Sequence, residues 1–130
     1  MAKKKDEKIE SEKYDQHIVD ALLKLKTPIK GQGGKEFDIR SKGRNENGLQ
    51  HIALKRHRLR IKDIELVPEI LMHPRVVTID PNNRNYRNYY GFRKGNDNEF
   101  FLKIVTWPYE NDPKKETIIT IYPTKRIKID

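Results

Sequence analysis

Cysteine is absent from this chain of 130 residues. That excludes a disulfide framework, a thiolate nucleophile and a thiolate metal ligand, and it fits a cytoplasmic location. Long apolar runs are also missing: no stretch approaches the roughly 20 residues that cross a bilayer. The opening Met1-Ala-Lys-Lys-Lys-Asp-Glu-Lys carries charge where a signal peptide would carry its apolar core. No membrane partner is expected. Internal repeats are lacking, and the only biased tract is the charged N-terminus. A more local absence is the most informative. From Gly48 to Lys62 there is no acid, while two His and five Lys or Arg occur.

The charge balance extends this local feature. Lys and Arg number 28 against 19 acids, a formal net charge of +9. The basic excess lies mainly in the first half, 17 against 11 over residues 1–66 and 11 against 8 over 67–130. Such a surface attracts polyanions: nucleic acid, anionic lipid or an acidic protein. The length suits one domain with a single modest core. Residues 1–12 read as a mobile charged tail and 13–130 as that domain.

Tyr14, Ile18, Ala21, Leu22 and Leu25 recur at helical spacing and predict a helix near 11–26, stopped by Thr27-Pro28. Residues 27–47, with Gly31, Gly33, Gly34 and Gly43, are expected to be mostly loop. A second helix is expected from Gly48 to about Arg60 and a third over Ile64–Met72, with Pro68 in its first turns. Beyond Arg75 the residues become β-branched and aromatic over 76–80, 86–94, 99–107 and 116–122, separated by Asn-, Gly- and Pro-rich turns. The expected fold is α+β: two to three N-terminal helices followed by a four-stranded antiparallel sheet.

The chemistry falls on these elements. His51 and Lys55 are four apart, on one face of the expected helix, and Arg58 extends that face. An imidazole exchanges protons near neutral pH, and a neighbouring cation holds a phosphate oxygen. Thr120 and Tyr122 share one face of the last strand, with Ile119 and Ile121 turned to the core. Four such groups suffice to cleave a phosphodiester through the ribose 2′-hydroxyl without a metal or cofactor. Arg56, Arg58, Arg93 and Lys103 are candidates for further phosphate contacts. Tyr89, beside Tyr86 and Tyr90 and interleaved with Arg84 and Arg87, is a candidate to stack on bases. Each residue also has a plain structural reading: His51 as a surface side chain, the arginines as a solvated face, Thr120 and Tyr122 as strand formers. His57 reads as structural.

The run Gly48-Leu49-Gln50-His51-Ile52 with Lys55-Arg56-His57, then Asp63 to Leu71 and His73-Pro74, resembles the phage-associated nucleases of the barnase, EndoU, colicin and RelE-like superfamily. Thr120-Ile121-Tyr122 is similar to that superfamily's last-strand hydroxyl and Tyr pair. The resemblance spans residues 48–122. It implies a toxin-like endoribonuclease acting in a bacterial host cell, metal-independent and leaving a 2′,3′-cyclic phosphate. His51, Lys55, Thr120 and Tyr122 would be its catalytic groups, with RNA and a cognate acidic immunity or antitoxin protein as partners. Two other readings are a nucleic-acid-binding protein without turnover and a basic inhibitor or regulator of an acidic protein.

Overall fold

The computed structural model describes residues 13–39, 48–93 and 100–127. Helix α1 is Gln16–Leu23. Asp15 caps it, its carboxylate accepting from the His17 N–H at 2.9 Å. Strands β1 (Ile29–Lys30) and β2 (Glu36–Ile39) follow, then α2 (Gly48–Ile52), a 3-10 turn at Lys55–His57, and α3 (Ile61–Met72). The chain ends in β3 (Val76–Ile79), β4 (Arg87–Phe92), β5 (Phe101–Tyr109) and β6 (Asp112–Thr124).

The expected helices followed by a four-stranded antiparallel sheet are overturned. Among the described residues the sheet has six strands in the order β1-β2-β6-β5-β4-β3, and β2 runs parallel to β6, which makes it mixed. The two additional strands come from the glycine-bearing segment read as loop, so strands interleave with helices. Two strands of two and four residues are too short to display a period. What makes them sheet is tertiary: Ile29 and Phe37 are buried in the core, and the Phe37 ring meets Tyr89 edge-on at 5.4 Å. Residues 1–12, the whole of the expected tail, and 40–47 lie outside the described residues, as do 94–99 and 128–130.

The second helix is also shorter than expected. It ends at Ile52 because Leu54 turns extended, bridges Tyr14, and leaves the Ala53 carbonyl to accept from the Asp15 N–H at 2.8 Å. The dense cations that follow repel one another on any continuous helix. Arg58 adopts φ 53°, a left-handed turn. That conformation costs about 1–2 kcal/mol in a residue with a side chain. An Arg93 hydrogen bond to the Arg58 carbonyl at 3.2 Å helps offset it.

Helix α3 starts with a reciprocal cap. The Arg60 N–H donates to Asp63 at 2.7 Å and the Asp63 N–H to the Arg60 carbonyl at 2.9 Å. Because the helix begins at Ile61, Pro68 stands in its interior rather than in its first turns, and the Ile64 carbonyl loses its helical donor. Ile64, Val67, Ile70 and Leu71 are buried, and α3 packs on β4 and β1. Contact is closest at Gly91, where a Cβ would overlap Ile70. Gly91 therefore faces the helices, and Tyr90 and Phe92 on either side of it point to the opposite face.

Candidate functional site

Strand register assembles the site. Val76, Tyr90, Lys103 and Tyr122 are successive partners across β3, β4, β5 and β6, forming one row on the face away from α3. The next row is Thr78, Asn88, Val105 and Thr120. A β-bulge decides which β6 side chains join them. Val105 pairs with Thr120 but Thr106 pairs with Ile118, so Ile119 is the extra residue. Ile118 and Ile121 both enter the core as a result, not Ile119 and Ile121 as expected from simple alternation. Thr120 and Tyr122 are turned together to the opposite face.

Among the described residues β2 pairs with β6 as far as Ile118. Past that point α2 and the following 3-10 turn pack against β6 instead. Ile52 and Ala53 anchor this segment in the core, and the turn carries His57 round to the Tyr122 ring, 6.1 Å between centroids. His51 meets His57 edge-on at 5.9 Å. Nδ1 of His57 lies 2.9 Å from the Ile52 carbonyl oxygen. A carbonyl only accepts, so Nδ1 carries the proton in this contact. Lys103 Nζ sits 5.1 Å from the Tyr122 centroid and 5.8 Å from that of Tyr90, and it donates to the Tyr122 oxygen. Burial works against the Lys103 ammonium, but the Tyr122 hydrogen bond, with Tyr122, Tyr90 and Asp80 nearby, outweighs it and raises the pKa. Lys103 is thus a firmly charged residue. The Thr120 hydroxyl and the Asn88 side-chain carbonyl are buried without a hydrogen-bond partner among the described residues. A buried polar atom without a partner calls for an explanation, such as a functional role or a bound water.

The sequence-expected residues fare differently. His51 and Tyr122 are brought into one cluster, with Thr120 two residues along the same face. His57, read as structural, is the ring that joins them. Lys55 begins the 3-10 turn and is exposed, so its helical spacing from His51 is lost. Arg56 and Arg58 are exposed beside it. Lys103 lies in the row, yet it is only 6% exposed. That enclosure suits action through Tyr122 better than direct phosphate contact.

Arg93 is not a surface cation. Its guanidinium is buried and bonds Asp63 at 2.8 and 2.9 Å. Burial opposes the Asp63 charge, but the hydrogen bonds from Arg93 and Arg60 prevail and lower its pKa. Tyr89 is 2% exposed on the helix side, so it offers no face to a base. Its hydroxyl donates to Glu116 at 2.8 Å, where Thr106 at 2.6 Å and Lys35 at 2.6 Å also donate. Desolvation and the Glu116 carboxylate push the Tyr89 pKa far up. Tyr90 is fully buried as well, leaving Tyr86 the most accessible of the three tyrosines.

A signal for His57 existed in the sequence, as a second imidazole within the acid-free run, but its facing needed the end of α2. Lys103 was visible as a cation within a strand. Among the described residues no group of three or more His, Asp or Glu is placed to hold a metal ion, and no helix is long and apolar enough to cross a membrane. No protein-family model, curated protein or solved structure matches this chain.

Proposed function

We propose that this chain is a metal-independent endoribonuclease that cleaves RNA through the ribose 2′-hydroxyl and leaves a 2′,3′-cyclic phosphate. The observation that carries the reading is the His51–His57–Tyr122 cluster, with centroid separations of 5.9 and 6.1 Å, backed by the Lys103 ammonium. Two imidazoles side by side supply the base and the acid that transesterification needs. His57 Nε2 takes the 2′-hydroxyl proton as that oxygen attacks phosphorus. His51, in its protonated form, gives a proton to the departing 5′-oxygen as the P–O5′ bond breaks. Tyr122 donates its hydroxyl to a non-bridging phosphate oxygen, and Lys103, bonded to the phenol oxygen, orients and polarises that donor. Thr120 lies two residues along the same face, its hydroxyl buried rather than open to substrate. The exposed Lys55, Arg56 and Arg58 draw the RNA backbone towards the turn that carries His57. An acidic inhibitor protein would be complementary to the same cations.

The test is incubation of purified protein with RNA in excess EDTA, wild type beside His51→Ala, His57→Ala and Tyr122→Phe. Cleavage to cyclic phosphate ends that is lost in both His variants is the expected outcome. Intact RNA with folded wild type would overturn the reading in favour of a nucleic-acid-binding protein without turnover, which the exposed Lys55, Arg56 and Arg58 would serve equally well.

A further inference from the structure

One register step from the row of Tyr90, Lys103 and Tyr122, the same sheet face carries Phe92, Phe101 and Thr124 as paired neighbours. The Phe92 and Phe101 rings stack with centroids 5.5 Å apart and planes inclined by 22°. The Arg75 guanidinium carbon lies 4.8 Å from the Phe92 ring centroid. Phe92 is nonetheless 52% exposed, and Arg75 is exposed too. The sheet therefore presents a group of two aromatic rings and one guanidinium with much of its surface in water.

Fold stability does not require that exposure. A Thr or Val at position 92 would serve the strand without leaving an aromatic ring half in solvent. A planar cation lying on an aromatic ring has the composition of the platforms on which proteins seat unpaired bases, since a base stacks on Phe and on guanidinium planes alike. The positive charge also suits the phosphates that accompany the base. Position supplies the remaining argument. Residues two apart on a strand are separated by about 6.7 Å, so Phe101 stands one such step from Lys103 and Phe92 one step from Tyr90.

We propose that Arg75, Phe92 and Phe101 form a subsite for one unpaired nucleobase, adjacent to the phosphate held at Tyr122, and that the substrate is single-stranded. A paired base has both faces occupied by its helix and cannot lie on the exposed surface of this group. The placement beside the scissile phosphate rests on the nuclease reading; the base platform itself does not.

The experiment measures binding rather than turnover, with a single-stranded hexadeoxynucleotide that lacks the attacking 2′-hydroxyl and with a set of the same hexamers made abasic at one position each. Phe92→Ala is expected to weaken the intact hexamer about tenfold. One abasic hexamer is expected to lose the same factor with wild type and nothing further with Phe92→Ala. Phe92→Leu, which keeps apolar area without the aromatic face, is expected to bind as weakly as Phe92→Ala. Equal affinity of wild type and Phe92→Ala, or losses that simply multiply for every abasic position, would overturn the subsite. So would a Phe92→Ala defect confined to self-association or to capture of a protein. Absence of RNA cleavage in EDTA, with the coupling intact, would remove the nuclease reading and leave the base platform standing.

Discussion

The Nδ1 nitrogen of His57 lies 2.9 Å from the Ile52 carbonyl oxygen, so the end of helix α2 sets the tautomer of the ring that packs on Tyr122. His57→Ala and His51→Ala are each expected to cut the rate of RNA cleavage by about a hundred- to ten-thousandfold. Because the two rings act as a pair, the double variant should be little worse than either single one. Single-turnover cleavage in EDTA measures all three. Full activity of His57→Ala would remove His57 from the chemistry.

Tyr122→Phe keeps the ring beside His57 and Lys103 and removes only the hydroxyl. Turnover should fall with little change in affinity, and Lys103→Met should fall with it. If Lys103 acts through the phenol, the two losses will not multiply in the combined variant. Multiplicative losses would indicate that Lys103 acts on its own.

Exposed cations predict a different signature. Lys55→Ala should weaken binding of all RNA sequences alike and lower the steepness of the salt dependence by about 0.7 for a single strand. Affinity measured from low to moderate salt reads this directly. A variant that lost only turnover would return Lys55 to the reacting groups.

Asp63 and Arg93 form an ion pair whose side chains are 0% and 2% exposed. Removing one partner strands a buried charge, so Arg93→Ala should destabilise the fold by about 3–5 kcal/mol. In folded protein at low temperature, RNA affinity should be unaffected. The same pair predicts acid sensitivity. The folded-state pKa of Asp63 lies below its ordinary 3.8. As pH falls, the unfolded chain therefore binds the proton first. The stabilisation is fully present above that ordinary value and is lost as pH drops through the lower folded one. Urea midpoints recorded from pH 6 to pH 2 should fall more steeply for wild type than for Asp63→Asn.

Glu116 is 1% exposed and accepts from Lys35, Tyr89 and Thr106. Lys35 comes from the segment joining β1 to β2, so this carboxylate fastens that hairpin to β6. Tyr89→Phe should cost about 1–3 kcal/mol by leaving a buried acceptor underused. Glu116→Gln should also speed hydrogen exchange in β2 more than in β4. Equal protection of the two strands would show that apolar packing of Phe37 alone holds the hairpin.

Local chemistry written in the chain determined much of this protein. The period of Tyr14, Ile18 and Leu22 marked the first helix, and β-branched runs after Arg75 marked four strands that the structure pairs in meander order. The acid-free run and the last-strand Thr120 and Tyr122 pointed to residues that do converge, because charge and alternation are properties of neighbours. Only the tertiary structure decided the rest. Burial of Phe37 turned a supposed loop into two strands and the sheet into a mixed one. A bridge from Tyr14 to Leu54 ended α2 early, separating Lys55 from His51 and swinging His57 onto Tyr122. The bulge at Ile119 chose which β6 side chains reached the core, and Asp63 drew Arg93 inward. Each of these turns on partners distant in sequence, and the competition between local preference and distant burial is settled only when the chain has folded.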